Sequence, residues 1–180
     1  MFELLDKALA ELPSLMGSHD GWQSVHVTYH APRVERIWRQ WGENRILLHR
    51  IHPCDEGEAL MHPHPWPSAV CIMSGRYEHR IGVREFVPFQ EPKPPTTLVT
   101  ETLAVGSRYE MTNRHAYHSV RPFGNPSDSI MVTGPLYKPR VVMPHVPIKK
   151  QQPLSSERFT ELFEEWKTRI SLLTSEGKSS

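Results

Sequence analysis

The middle of the chain, residues 22–140, constrains the fold most, because it is cut into short segments by Gly, Pro and Asn. Several of these segments alternate polar and apolar residues, as in SVHVTYH, which is the period of a half-buried strand. VERIWRQW and RILLHRIH flank Gly42-Glu43-Asn44, and this pattern predicts a β-hairpin. The chain also has 17 prolines, which helix interiors tolerate poorly. We therefore predict an all-β sandwich or barrel, jelly rolls included.

The two ends of the chain have helical spacing instead. Apolar residues recur every three or four positions along residues 1–16, with Pro13 at or just past the end of the pattern, and again along residues 155–174. We predict a helix over each of these ranges, flanking a β-barrel over residues 22–140 within a single domain of 180 residues. The second helix, which contains Trp166, is expected to pack on the barrel or on a partner subunit.

Composition excludes several classes of function. No apolar run approaches the roughly 20 residues of a membrane-spanning helix, and the first residues, MFELLDKALAELPSLM, do not resemble a secretory signal. The net charge is only +1 and the basic residues are scattered, which argues against a nucleic-acid surface. Cys54 and Cys71 are two cysteines without a signal peptide, a pattern typical of thiols in a reducing compartment. We predict a cytoplasmic protein that binds neither membrane nor nucleic acid.

The segment MHPHPWPSAVCIMSGRY carries the strongest chemical signal. His62 and His64 are two residues apart, and residues at that spacing in a strand point to the same side. Three flanking prolines, at positions 63, 65 and 67, favour extended backbone around them. Two imidazoles held in this way can reach into one cavity and bind a metal ion. The alternative is a pair of surface histidines in a loop.

This segment resembles the first motif of the cupin superfamily: a glycine, then His-x-His, a short spacer, usually a glutamate, six residues and a closing glycine. Gly57 precedes His62 with one residue fewer than usual, and Gly75 matches the closing glycine. Ser68 stands where cupins usually have glutamate. HPHPW, followed at a distance by HSV and IMVTGP, is also similar to a set of small bacterial cupins of unassigned activity. Together with the second motif below, the resemblance covers about residues 45–135.

The second cupin motif ends in a histidine roughly fifty residues later, and VGSRYEMTNRHAYHSVRP loosely fits its frame. Gly106 would open this motif and His118 falls at the ligand position, although the usual proline and glycine are replaced by Asn113 and His115. The resemblance implies a cupin-type jelly-roll β-barrel with flanking N- and C-terminal helices. It also implies one divalent metal ion on His62, His64 and His118.

With no glutamate, the implied ligand set has three neutral imidazoles and leaves coordination positions open. Thiol dioxygenases of the cupin superfamily are similar in using three histidines with iron. We therefore expect a divalent transition metal, foremost Fe(II), with Ni or Zn possible, in an oxygenase that acts on a small organic molecule. Alternatives are a non-catalytic binding or sensing cupin and a purely structural barrel. Cupins commonly dimerise, and with the wide apolar face of the Trp166 helix this favours a homodimer.

Several other residues are candidates for roles near the site. Ser68 is expected to stay out of the metal's ligand set, Cys71 to fill the core, and His115 to lie in a loop at the mouth or to act as a fourth ligand. His49 and His52 lie on opposite faces of one strand, so at most one points inward. Trp66 is expected to be a lid or core residue. Tyr109 and Tyr117 are candidates for lining the cavity, and Arg50, Arg76 and Arg121 are candidates for binding a carboxylate. His19, His26, His30, His79 and His145 follow no pattern that indicates a function.

Overall fold

The computed structural model describes residues 1–84, 93–138 and 151–176, with side chains in the last helix up to Leu172. Two helices flank ten strands in the described part of the chain. In chain order the elements are α1 (Phe2–Leu15), β1 (Trp22–Val27), β2 (Val34–Trp41), β3 (Asn44–Ile51), β4 (His62–Pro63), β5 (Ser68–Ser74), β6 (Arg76–Val83), β7 (Thr96–Ala104), β8 (Arg108–Met111), β9 (Ala116–Pro122), β10 (Ser127–Thr133) and α2 (Ser156–Glu176).

The strands form two antiparallel sheets. One has six strands in the order β1-β2-β3-β10-β5-β8, and the other has four in the order β4-β9-β6-β7. The predicted hairpin at Gly42 is confirmed, because Trp41 pairs with Asn44 across a two-residue turn. The turn at Gly75 differs: it joins β5 of one sheet to β6 of the other. Gly75 has a φ of +71°, and a Cβ there would lie 2.8 Å from the carbonyl oxygen of Pro126, so the corner requires glycine.

The closed barrel expected from the sequence is only partly present. Within the described residues no hydrogen-bonded ladder joins the two sheets, so the architecture is a pair of facing sheets. The reason lies in β4, which is only two residues long. Pro63, Pro65 and Pro67 have no N–H to donate, so they interrupt the ladder at this edge. The same prolines that hold the His-x-His segment extended therefore prevent β4 from closing the barrel.

The six-stranded sheet is buried on both faces. On one face, α1 and α2 cover alternate residues such as Ile37, Leu48 and Ile130, all fully buried. On the other, Val34, Leu47 and Met131 pack towards the four-stranded sheet. Trp166 of α2 is 1% exposed against this sheet, so the second helix packs on its own sheet. That packing covers the apolar face that the sequence analysis used in favour of a homodimer, so the face gives no evidence for a second subunit.

Both helices differ slightly from their predicted bounds. Pro13 lies inside the last turn of α1, where it removes one backbone hydrogen bond. The helix continues past it because Leu12 and Met16 are buried in the core at 0% and 1% exposure. α2 begins at Ser156 rather than 155. No helix in the described part of the chain is long and apolar enough to cross a membrane.

Candidate metal centre

Three histidines from separate places in the sequence meet at the four-stranded sheet. His62 on β4 lies directly opposite His118 on β9 in the antiparallel ladder, and opposed residues project from the same face of a sheet. His64 follows immediately after β4 and its Nε2 lies 2.9 Å from Nε2 of His118. One ligand atom from each of the three rings lies within 4.8 Å of the others. Among the described residues this group contains three imidazoles and no carboxylate.

The hydrogen bond of His62 fixes which of its nitrogens is free, and that of His64 is compatible with the same tautomer. Nδ1 of His62 lies 3.0 Å from the carbonyl oxygen of Leu60, which can only accept, so Nδ1 carries the proton. Nδ1 of His64 lies 3.1 Å from the hydroxyl of Ser68. When each Nδ1–H donates in this way, each Nε2 keeps its lone pair for a metal. Ser68 therefore orients a ligand histidine rather than replacing the missing glutamate.

The third ring is held by a longer chain of contacts. Glu101 on β7 accepts from Nδ1 of His79 at 3.0 Å, and Nε2 of His79 lies 3.1 Å from Nδ1 of His118. Because the carboxylate accepts, His79 is protonated on Nδ1 and its Nε2 must accept from His118. His118 is then protonated on Nδ1, and its Nε2 keeps a free lone pair. Glu101 thus sets the tautomer of His118 through His79, which is 0% exposed.

The arrangement fits a divalent transition ion. If two imidazole nitrogens each lie about 2.1 Å from one ion at an N–metal–N angle of about 90°, they are about 3.0 Å apart. The Nε2 atoms of His64 and His118 are 2.9 Å apart, which is close to this value. Metal ligation also requires neutral rings. Burial lowers the pKa of His62 to about 4 and holds the pKa values of His64 and His118 well below their usual range. Imidazole ligands suit iron, nickel, copper and zinc.

The three histidines open onto a cavity of about 180 Å³ between the sheets. Apolar side chains form much of its wall, Val70, Val120 and Met131 among them. On the six-stranded sheet the wall also contains Arg36 and His49, which are directly opposite each other on β2 and β3. A mainly apolar cavity with a few convergent polar groups is typical of a site for a small molecule, although this one is smaller than most.

The structure shows where the other candidate residues of the sequence analysis lie relative to the cavity. Trp66 and Tyr109 line the cavity, whereas Tyr117 is not among its lining residues. Cys71 is buried in the core under the helices, as predicted. His115 is exposed in the loop before β9 and lies outside the three-histidine group, so it fits the mouth-loop interpretation and not that of a fourth ligand.

The two strand histidines and the three candidate arginines also separate clearly. His49 points into the cavity, while His52 contacts Glu35 at 3.3 Å on the other face. The suggestion that Arg50, Arg76 or Arg121 binds a carboxylate in the site is wrong. None of them lines the cavity; the three instead contact, respectively, Asp128 at 2.9 Å, the ring of Phe123, and Glu78 at 3.3 Å.

Four residues around the site had no interpretable sequence signal: Arg36, His30, His79 and Glu101. His79 and Glu101 pair across β6 and β7, but no local motif indicates such a contact. Arg36 could have been found from the hairpin register, because the predicted turn at Gly42 places it opposite His49. His30 lines the cavity, with its ring centroid 6.1 Å from that of His62, and lies in a loop without a pattern.

Comparisons with known proteins find similar solved structures only. No protein-family model matches the chain, and no curated protein matches it. Similar solved structures include an RmlC-like cupin from Shewanella frigidimarina (11% identity, TM-score 0.45), covering 68% of this chain and 91% of that one. A hydroxypropylphosphonic acid epoxidase from S. wedmorenis is 13% identical, with a TM-score of 0.47, over 64% of this chain. Streptomyces albus HEPD, solved with 2-hydroxyethylphosphonate and Fe(II) bound, is 9% identical, with a TM-score of 0.41, over 57% of this chain.

One of these similar structures is a cupin. The matched region spans 56% of the epoxidase chain and 21% of HEPD. At these identities and TM-scores the likenesses carry no functional argument, so a function for this chain has to rest on its own residues. Those residues offer three convergent imidazoles suited to a divalent metal, next to a small cavity.

Proposed function

We propose that this chain is a metal-dependent cupin enzyme, a mononuclear Fe(II) oxygenase acting on a small organic molecule. The observation that carries the proposal is the convergence of His62, His64 and His118 at a buried cavity, each with its Nδ1 occupied by a protein partner. Such partners orient metal-binding rings and are typical of metal sites. A structural cluster of histidines would not need three free Nε2 atoms directed at one place.

The donor set favours a particular chemistry. When bound, an Fe(II) ion with three neutral ligands supplies Lewis acidity and open coordination positions for a small substrate and dioxygen. The chain's own contribution is to hold the three imidazoles neutral and fixed, and to keep water away with apolar residues such as Val70, Val120 and Met131. Among the described residues that line the cavity there is no carboxylate to serve as a general base. The described part of the cavity wall therefore has no carboxylate–histidine pair for proton transfer, and such a role would fall to His30 or His49.

A second candidate function is a cupin that binds or senses a small molecule without turnover. The departures of the second cupin motif favour it, because Asn113 and His115 stand where the usual proline and glycine are expected. Both candidates share the metal site, and they differ in whether dioxygen is consumed.

Elemental analysis and oxygen-uptake measurements test the proposal together. Protein purified without added metal is expected to contain about one transition ion per chain, and the Fe(II)-loaded protein to consume dioxygen with a subset of small organic molecules. Metal without oxygen uptake across a broad panel would favour the binding function. Well under one ion per chain, with no binding of added Fe(II), Ni(II) or Zn(II), would contradict both. His115→Ala is the matched control, since His115 is exposed and outside the group.

A further inference from the structure

The cavity wall opposite the three histidines carries a short polar row. Arg36 on β2, His49 on β3 and Ser129 on β10 are successive cross-strand neighbours, and all three line the cavity. Their neighbours on the same face are apolar, for example Val34 and Leu47. Polar groups placed among apolar ones in a buried wall cost free energy unless they have partners.

Among the described residues Arg36 has no acidic partner, unlike Arg50 of the same sheet and Arg158 of α2. Arg50 pairs with Asp128 at 2.9 Å, and Arg158 of α2 pairs with Glu35 at 2.9 Å. Within the described parts of the chain no carboxylate pairs with Arg36, and its buried Nε has no hydrogen-bond partner. Nε2 of His49 is likewise buried and without one. Burial lowers the pKa of Arg36 to about 10, so it stays charged at neutral pH.

The charge of Arg36 is half-buried and has no partner among the described residues, a cost that a fold does not need for stability. The guanidinium fork matches an oxyanion, which it can bind through two parallel hydrogen bonds. A divalent ion on three neutral imidazoles would add positive charge on the other side of the same cavity. Both walls therefore favour a negatively charged occupant, and the described lining residues include no acidic side chain to take that place.

We propose that Arg36, assisted by His49, binds the oxyanion of a small organic acid whose other end faces the three histidines. This inference rests on the proposed function and names its substrate class. The cavity volume of about 180 Å³ suits a small organic acid. Arg36 acts here as a substrate-binding residue and takes no part in holding the metal.

Isothermal titration with three molecules of one skeleton tests this. Glycolate and hydroxymethylphosphonate present a planar and a tetrahedral oxyanion, and glycolamide is the neutral counterpart. In the Zn(II)-loaded protein we expect at least one anion to bind, and glycolamide to bind at least about tenfold more weakly. Arg36→Gln should weaken anion binding at least about tenfold, and Arg36→Lys by less, because it keeps the charge but loses the fork. The tighter anion identifies the group that the site prefers.

Arg33→Gln is the matched control. It removes the same charge from an exposed position just before β2, outside the cavity wall. It should leave anion affinity within about twofold, since exposed charges are screened. The proposal is overturned if neither anion binds, if glycolamide binds as tightly as glycolate, or if Arg36→Gln retains the wild-type affinity. A melting temperature of metal-free Arg36→Gln several degrees below wild type would also overturn it, since that would give Arg36 a structural role.

Repeating the titration without metal separates this inference from the proposed function. If no metal binds at all, yet glycolate binds and Arg36→Gln abolishes binding, the anion site stands and the oxygenase proposal falls. If the protein binds metal and consumes dioxygen but does not distinguish glycolate from glycolamide, the oxygenase proposal stands and the anion site falls.

Discussion

The six-stranded sheet has two buried faces that differ in how their polar residues are satisfied. On the helix-covered face, Asp128 and Glu35 are 2% and 5% exposed, and each accepts hydrogen bonds from arginine side chains. On the cavity face, Arg36 and His49 are left without such partners. Single nitrogens are unpaired on the helix-covered face too, at Arg39 and Trp166. The cavity face differs because its unpaired groups, Arg36 and His49, line a cavity that a ligand can enter.

The largest effect should come from removing a metal ligand on the cavity side. His64→Ala and His118→Ala are each expected to abolish measurable binding of Zn(II), because only two of the three imidazole ligands would remain. Competition titration against a chromogenic chelator measures this. His115→Ala should bind metal as wild type does. If His115→Ala lost metal as completely as His118→Ala, the ligand assignment on β9 would be wrong.

On the helix side, Glu35→Gln should cost stability and leave metal affinity unchanged. Burial would raise the pKa of Glu35, but its paired hydrogen bonds to Arg158 outweigh burial and lower the pKa to about 2, against 4.5 in the unfolded chain. A lowered pKa contributes stability that is present above about pH 4.5 and is lost as the pH falls towards 2. We expect the free energy of unfolding to fall by about 2–3 kcal/mol at pH 7 and by less at pH 3.5. Denaturant unfolding at the two pH values measures this.

Glu161→Gln is the control for this variant, because Glu161 contacts the same Arg158 at 3.0 Å from an exposed position on α2. It should cost less than about 0.5 kcal/mol, as exposed ion pairs do. The ion pair of Glu35 with Arg158 would not be what stabilises this face if both variants lost the same free energy of unfolding. The same would follow if the loss in Glu35→Gln did not change with pH.

Glu101→Gln probes the chain of contacts behind His118 and should have an intermediate effect. Gln can donate as well as accept, so it no longer forces His79 to accept from His118. We expect Zn(II) affinity to fall about 10- to 100-fold, the usual range for partners of metal-binding histidines, with stoichiometry kept at one. Glu78→Gln on β6, whose side chain contacts Arg80 and Arg121 instead, should not change it. If the Zn(II) affinity of Glu101→Gln were unaltered, Glu101 would have no role in supporting the metal site.

The smallest effect is expected at Ser68. Ser68→Ala removes the hydroxyl 3.1 Å from Nδ1 of His64 and should weaken Zn(II) binding by less than about tenfold, with stoichiometry intact. Ser68→Glu should add an oxygen ligand and tighten binding of Mn(II), which favours oxygen donors. Loss of all metal in Ser68→Ala, or unchanged Mn(II) affinity in Ser68→Glu, would show that Ser68 does not occupy the position of the cupin glutamate.

The sequence predicted what depends on local pattern. The hairpin at Gly42 and the helical ends follow from turn chemistry and apolar period, and the cupin motifs pointed to His62, His64 and His118. Closure of the barrel was not predictable, because the prolines that signal the His-x-His segment also interrupt its ladder. The homodimer, the single-domain assignment and the cytoplasmic location remain predictions.

The rest of the site escaped sequence analysis for a physical reason. Strands of the six-stranded sheet are buried on both faces, so RILLHRIH has three apolar residues in a row instead of a clean alternation. The hairpin register places Arg36 opposite His49, but which face of the sheet they lie on can be read only from the three-dimensional structure. His79 reaches His118 across 39 positions of sequence, and only the pairing of β6 with β9 brings the two together.

A single crystallographic experiment tests the central claim, that the cavity face is a metal centre. Anomalous difference maps at the metal edge, from crystals grown with one equivalent of Fe(II) under anaerobic conditions or with Zn(II), locate every bound ion directly. We expect one strong peak per chain, about 2.0–2.2 Å from Nε2 of each of His62, His64 and His118, with Glu101, His79 and Ser68 outside bonding distance. No peak in the cavity, or a peak bound by other residues, would contradict this account.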